Sequence, residues 1–279
     1  MLNAIQNYQF MQNALIACVF SSVVCGIIGV IIIEKKLVMM SGGIAHISFG
    51  GVGLGYLLGF EPVIGAFVFS VLSALGIGFT KRRQAVRSDV IIGLLWSFGM
   101  ACGIFFIGMK KGYALDISSY LFGNILSVTK TDIRLIIVLG AVVIAVIAAF
   151  FAYWKSFLFD EEYAGASGVN TALFDYLLLI LVALSVVILI RVAGIILLLS
   201  LLTAPAATAS LFTARLKTRI IFSILLGVLY SVTGLWISYN YNIASGATIV
   251  TVSVIAFFSV FAAVSVIKSK KRVSKEAQA

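Results

Sequence analysis

The chain is 279 residues long, 62% hydrophobic and 11% charged, with a formal net charge of +10 and a mean hydropathy of +1.17. A soluble domain carries about a quarter charged residues, so a soluble enzyme or nucleic-acid-binding domain is excluded as the body of the chain. Apolar runs that continue for roughly 20 residues specify an all-α, polytopic membrane protein, because a membrane barrel would show short alternating segments.

In chain order, the N-terminus MLNAIQNYQFMQNALIACVF has no basic leader and no small-residue cleavage site, and is read as a retained span. Nine spans follow from the apolar runs: Phe10–Ile33, Val38–Leu58, Val63–Thr80, Val90–Gly108, Ile133–Tyr153, Ala172–Ile190, Val192–Phe212, Ile220–Ser238 and Thr248–Ile267. The count becomes eight if one segment fails to cross. Ala172 to Phe212 is a single apolar block broken only by Arg191 and Gly194; a tight turn at Arg191 would divide it into two spans and place that charge at the outer interface. Gly112–Thr131 is too polar to span and too apolar for a free loop, and is expected to form a short helix at the outer face or re-entering the bundle.

The basic residues orient the bundle. With the N-terminus outside and the C-terminus inside, only Lys110, Lys111, Lys130, Arg134 and Arg191 fall outside. The remaining fifteen of the twenty Lys and Arg lie in cytoplasmic loops or in the basic tail 268–279, as the positive-inside rule requires. That tail, which starts at Lys268, reads as solvated and frayed, and it also offers cations to membrane lipid. Cys18, Cys25 and Cys102 all sit in apolar runs with no paired spacing, so they are read as small buried thiols.

Two stretches carry chemistry. MMSGGIAHISFGGVGLGYLLGF (39–60) holds the only histidine, His46, among Gly42, Gly43, Gly50, Gly51, Gly53, Gly55 and Gly59. A neutral imidazole is a common ligand for transition metals, and ionisable groups at membrane depth face a protein interior or an aqueous path. The plainer alternative is a packed helix whose histidine bonds a neighbouring serine or carbonyl. The loop Phe157–Thr171, FLFDEEYAGASGVNT, begins with Asp160, Glu161 and Glu162, which suit the N-terminus of a short helix, and continues in residues small enough to seat in a partner's groove. An ordinary surface loop is the competing reading. Its Gly-Ala-Ser-Gly resembles the nucleophile motif of intramembrane serine proteases, but Ser167 falls in an acidic loop away from His46, and the histidine precedes the serine where in those proteases it follows. With no HExxH, no paired intramembrane carboxylate and no phosphate-binding loop, no catalytic residue is assigned and no enzymatic activity is expected.

Four stretches resemble, in order, the permease subunit of the zinc/manganese/iron class of ABC importers: MSGGIAHISFGGVGLGYLLG (40–59), SDVIIGLLWSFGMACGIFF (88–106), SYLFGNILSV (119–128) and the block from Asp160 to Phe212. The resemblance implies one transmembrane permease domain over 1–279, with a bundle similar to the vitamin B12-type importers, in the cell membrane of a bacterium or archaeon. It also implies a homodimer, cytoplasmic ATPase subunits and an extracellular or periplasmic metal-binding protein. The family's second span usually reads D-x-x-x-H. His46 matches the histidine, but Gly42 stands where the aspartate would be, and Met40, Ser41 and Ser48 are the neighbouring candidates for a metal path. LLTAPAATAS matches the family's proline-containing span and adds Thr203, Pro205, Thr208 and Ser210. The 160–170 loop matches the coupling region, implicating Asp160, Glu161, Glu162, Ala164, Gly165 and Gly168. The expected cargo is a divalent transition metal with no permanently bound cofactor. Zinc comes first and manganese second, because imidazole suits zinc and the missing carboxylate disfavours a harder ion. The alternatives are a permease for a metal chelate such as a siderophore or cobalamin, and an ATP-independent channel or secondary carrier.

Overall fold

The computed structural model describes residues 7–83, 88–110, 123 and 125–276. Its helices are α1 (Gln9–Glu34), α2 (Val38–Leu58), α3 (Pro62–Arg83), α4 (Ser88–Met109), α5 (Lys130–Ala149), α6 (Phe151–Phe159), α7 (Glu161–Ala166), α8 (Thr171–Phe212), α9 (Leu216–Tyr241) and α10 (Ser245–Glu276). A 3-10 turn covers Ile125–Ser127, and there is no strand among the described residues. Eight of these helices are long and apolar enough to cross a membrane.

The 42 residues of α8 would extend about 63 Å as one straight rod, twice the roughly 30 Å of a bilayer's hydrocarbon core. They do not run straight. Gly194, at φ 72° and ψ 170°, is non-helical within α8. Near its start, Asp175 pairs with Lys81 at 3.1 Å, whereas Arg191 pairs with Asp132 and Glu61 at 2.6 and 3.4 Å. Glu61 and Lys81 flank opposite ends of α3, so residues 171–193 run the length of the bundle. Just past its far end, the Thr213 carbonyl accepts from Arg219, which also pairs with Glu34. Glu34 adjoins Lys35, whose partner Glu161 feels the charges of Lys81 and Arg82. Both ends of α8 therefore lie at the Lys35 end of the bundle and Gly194 lies at the other. The turn expected near Arg191 is three residues further on, at the residue type that tolerates the geometry.

The first elements pack by backbone contact. A Cβ at Gly51 would meet the carbonyl of Gly65, and one at Gly65 the carbonyl of Gly51, so α2 and α3 touch where neither has a side chain. In lipid such close approach replaces the hydrophobic driving force that helices have in water. The second half of α8 and α9 flank α1: Pro205 and Ser22 both lie beside Gly227. At the Lys35 end, buried Trp154 and Phe157 of α6 pack on Phe174, with centroids 5.0 and 5.9 Å away, and Lys35 Nζ sits 3.4 Å over the Phe157 ring.

Two expectations on element boundaries are corrected, and a third lies mostly outside the described residues. The span expected over Ile133–Tyr153 ends at Ala149, because Phe150 leaves helical geometry at φ −111°, ψ 25° and α6 begins as a separate helix. α10 continues through Glu276 where a frayed tail was expected; the stretch 268–276 contains no Gly or Pro to stop it. The helix expected over 112–131 falls mostly on 111–122, outside the described residues, and the 3-10 turn at Ile125–Ser127 precedes α5. Thr129 caps α5 in a reciprocal box with Asp132, which also holds Arg191 and so ties the start of α5 to the reversal.

Gly194→Ala puts a side chain into a backbone region that is essentially glycine-only, at about 1–3 kcal/mol. The expected outcome is a lower melting temperature and lower membrane yield, read by fluorescence-detected size exclusion over a temperature series. An unchanged melting temperature would show that the reversal does not depend on this glycine.

Candidate functional site around His46

His46 sits in the middle of α2, the most enclosed of the spans. Its Nδ1 lies 2.8 Å from the carbonyl oxygen of Gly42, one turn back. A carbonyl only accepts, so Nδ1 carries the proton of the neutral ring and Nε2 keeps its lone pair. The ring stacks on Trp96 of α4, with centroids 3.9 Å apart and an interplanar angle of 21°. Backbone carbonyl and indole thus fix the tautomer and the plane of the imidazole, as outer contacts do for metal-binding histidines.

Gly42 contributes more than a carbonyl. A Cβ there would come within 3.1 Å of the Trp96 ring and 3.9 Å of Leu199. Where the related pattern has an aspartate, this chain has an indole resting on a bare α-carbon. Sequence reading missed Trp96, because its only signal is complementary: a glycine on one helix and a large ring on the other, 54 positions apart.

The other candidates divide by location. Thr203 and Ser210 lie on one face of the second half of α8 with Ile196, Leu199 and Ala207, every three or four residues and each partly exposed. Leu199 brings that face to Gly42, and hence to the turn of α2 that carries His46. Thr208 is on the opposite side, fully buried, accepting from Tyr230 of α9 at 3.4 Å. Pro205 also faces α9, beside Gly227. Met40 points to the Lys81–Asp175 pair with Gly78 and Tyr176, away from His46. Ser41 and Ser48 are buried and donate to Val38 and Ala45 of their own helix at 2.8 and 2.6 Å. Thr203, Thr208 and Ser210 likewise donate to Leu199, Ala204 and Ala206, at 2.7, 2.7 and 2.8 Å. No group of three or more His, Cys, Asp or Glu side chains is placed to hold a metal among the described residues. The arrangement can offer a passing cation one imidazole nitrogen and a few oxygens, which is weak ligation of the kind a path requires.

The 157–171 loop is built around α7. Asp160 caps it by accepting from the backbone of Glu162 and Tyr163, both at 3.0 Å, and Asn170 caps α8 through Leu173 at 3.1 Å. Glu161 pairs with Lys35 at 2.8 Å. Partial burial pushes the Glu161 carboxyl up, but the Lys35 hydrogen bond and the charges of Lys35, Lys81 and Arg82 outweigh it and hold the group below its ordinary value. Ala164 is fully buried against its own chain, whereas Tyr163, Glu162, Gly165 and Gly168 face outward. A Cβ at Gly165 would meet only Thr171, at an ordinary 3.8 Å, and one at Gly168 would meet nothing.

Comparison with known proteins adds four findings. The model of the ABC 3 transport family matches residues 7–264. The manganese transport system membrane protein MntC of Listeria monocytogenes is 36% identical over 260 residues, covering 93% of this chain and 92% of that protein. The manganese import system permease protein ScaB of Streptococcus gordonii is 37% identical over 260 residues, 93% of each. Among solved structures, PsaBC from Streptococcus pneumoniae in complex with Fab superposes with a TM-score of 0.84 at 36% identity, over 93% of this chain and 94% of that one.

The packing of Trp96 on Gly42 is directly testable. Gly42→Asp forces the indole to move, an overpacking cost of about 1–3 kcal/mol, and should lower the melting temperature. Trp96→Ala in the same chain opens the space and should recover part of that loss, measured by thermal denaturation of the single and double variants. Additive effects of the two changes would mean that the residues do not meet.

Proposed function

The chain belongs to the ABC 3 transport family, and from that premise we propose that it is the membrane-spanning subunit of an importer for a divalent transition metal, manganese first and zinc second. ATP is hydrolysed by a separate subunit. The carrying observation is His46: one imidazole with Nδ1 tied to a backbone carbonyl, Nε2 left with its lone pair, and its ring held on Trp96. Imidazole chemistry alone ranks zinc above manganese. Two relatives at 36% and 37% identity are both named for manganese, and whole-length similarity outweighs the preference of one side chain, so the order is reversed.

The remaining parts follow from the same reading. The Lys35 end, with α7 and most of the basic residues, faces the cytoplasm, and the Arg191 end faces outward, where a metal-binding protein delivers the ion. The partly exposed face of Leu199, Thr203, Ala207 and Ser210 lines the path, and a second copy of the chain closes it. The capped α7, with Tyr163 66% exposed, seats on the ATPase subunit.

Two experiments test this reading. Radiolabelled manganese uptake by His46→Ala should fall about 10- to 100-fold at normal membrane abundance. His46→Gln, which keeps a hydrogen-bonding group but loses the imidazole nitrogen, should fall with it; near-normal uptake in that variant would remove His46 from the path. For the coupling surface, Gly165→Trp has room within its own chain, so it should fold and insert normally while losing co-purification with the ATPase subunit and ATP-driven uptake. Intact co-purification would move the contact elsewhere.

A further inference from the structure

At the Lys35 end, between α6 and the start of α9, the surface forms a half-open cavity of about 650 Å³. Lys155, Arg215, Lys217 and Arg219 line it together with a single carboxylate, Glu34. Glu34 is already paired with Arg219, and among the described residues Lys155, Arg215 and Lys217 have no acidic partner. The basin therefore carries an uncompensated charge of about three in a volume typical of small-ligand sites. It is also continuous with something apolar. Phe151 and Lys217 line a second groove of about 250 Å³, whose other walls include Ile27 of α1, Ile144 and Ile147 of α5 and Ile220 of α9. Ile27 lies seven residues before Glu34, so the groove reaches about 10 Å from the charged end into the apolar zone. Lys217 stands at the junction, its Nζ 5.0 Å from the Phe151 ring centroid.

We propose that the basin and groove form one binding site for an anionic phospholipid of the leaflet at this end, with its phosphate headgroup among Lys155, Arg215 and Lys217 and an acyl chain against the isoleucines. Basic pockets between spans favour anionic headgroups, each Lys or Arg adding to the attraction. The isoleucine groove decides between occupants. A soluble protein surface can meet the cations, but it cannot follow a groove descending to membrane depth, and a free phosphate has nothing to place there. Phe159, 91% exposed at the mouth of the cavity, sits where an aromatic ring settles at the headgroup level.

The test is native mass spectrometry of the purified full-length chain in detergent, titrated separately with phosphatidylglycerol and phosphatidylcholine. The wild-type chain should retain phosphatidylglycerol at least about tenfold better. Lys155→Gln/Lys217→Gln, two exposed and unpaired positions, should lose that preference without a change in melting temperature. Ala148→Phe, which fills the groove, should weaken retention with the cations intact. Lys110→Gln at the opposite end should change nothing. Equal phosphatidylglycerol retention by wild type and the double-lysine variant overturns the proposal. Displacement of the lipid by inorganic phosphate overturns it in favour of a free anion. Intact lipid retention with lost co-purification of the ATPase subunit overturns it in favour of a protein contact. Because binding is read without transport, failure here leaves the importer reading standing, and failure of uptake in His46 variants leaves this one standing.

Discussion

Close backbone approach between helices is the constraint on which the rest of the structure depends. In lipid, apolar side chains gain little by leaving one apolar surface for another, so association rests on contact at van der Waals distance and on hydrogen bonds. α2 meets this condition by omitting side chains where it meets its neighbours: Gly51 lies on Gly65 of α3, and Gly42 lies under Trp96 of α4. The same omission allows a histidine to be carried at that depth. With glycines on the contacts, the imidazole fits between helices, bonds a carbonyl of its own helix and stacks on the indole.

The charges hold the ends of this bundle. Among the described residues, every ion pair lies at one end or the other: Lys35–Glu161, Lys81–Asp175 and Glu34–Arg219 at one, and Arg191 with Asp132 and Glu61 at the other. Each joins helices distant in sequence, and each draws on a loop or a terminal turn, where partial hydration makes a charge affordable. The Arg191 cluster has the widest reach. Asp132 caps α5, Arg191 closes the first half of α8, and Glu61 precedes α3, so three elements meet at the reversal.

The spans were legible because a 20-residue apolar run has few other fates, and α1 and α2 fall within a residue of their expected bounds. The double passage of α8 was legible from its length, while its turn was placed at the charged Arg191 when the backbone reverses at Gly194, three residues later. The break at Phe150 was not legible, since Phe-Phe in an apolar run carries no stop signal. At the site, His46 stood out as the sole histidine. Trp96 did not, because its role exists only in relation to the residue missing from Gly42. Thr203, Ser210 and Thr208 looked equivalent in the sequence; three-dimensional packing sends Thr208 to α9 and leaves the other two on the open face.

That open face has a fixed electrical character. A hydroxyl has one proton to donate, and Thr203 and Ser210 have both committed theirs to carbonyls of their own helix. What remains for anything approaching from the open side is oxygen lone pairs, with no hydrogen to turn outward unless the helix bond is broken. Oxygens in that state can replace part of the hydration shell of a cation, and they have no hydroxyl hydrogen to offer an anion. On the proposed path, the direction of two hydroxyl hydrogens would favour a cation before any acidic side chain is added.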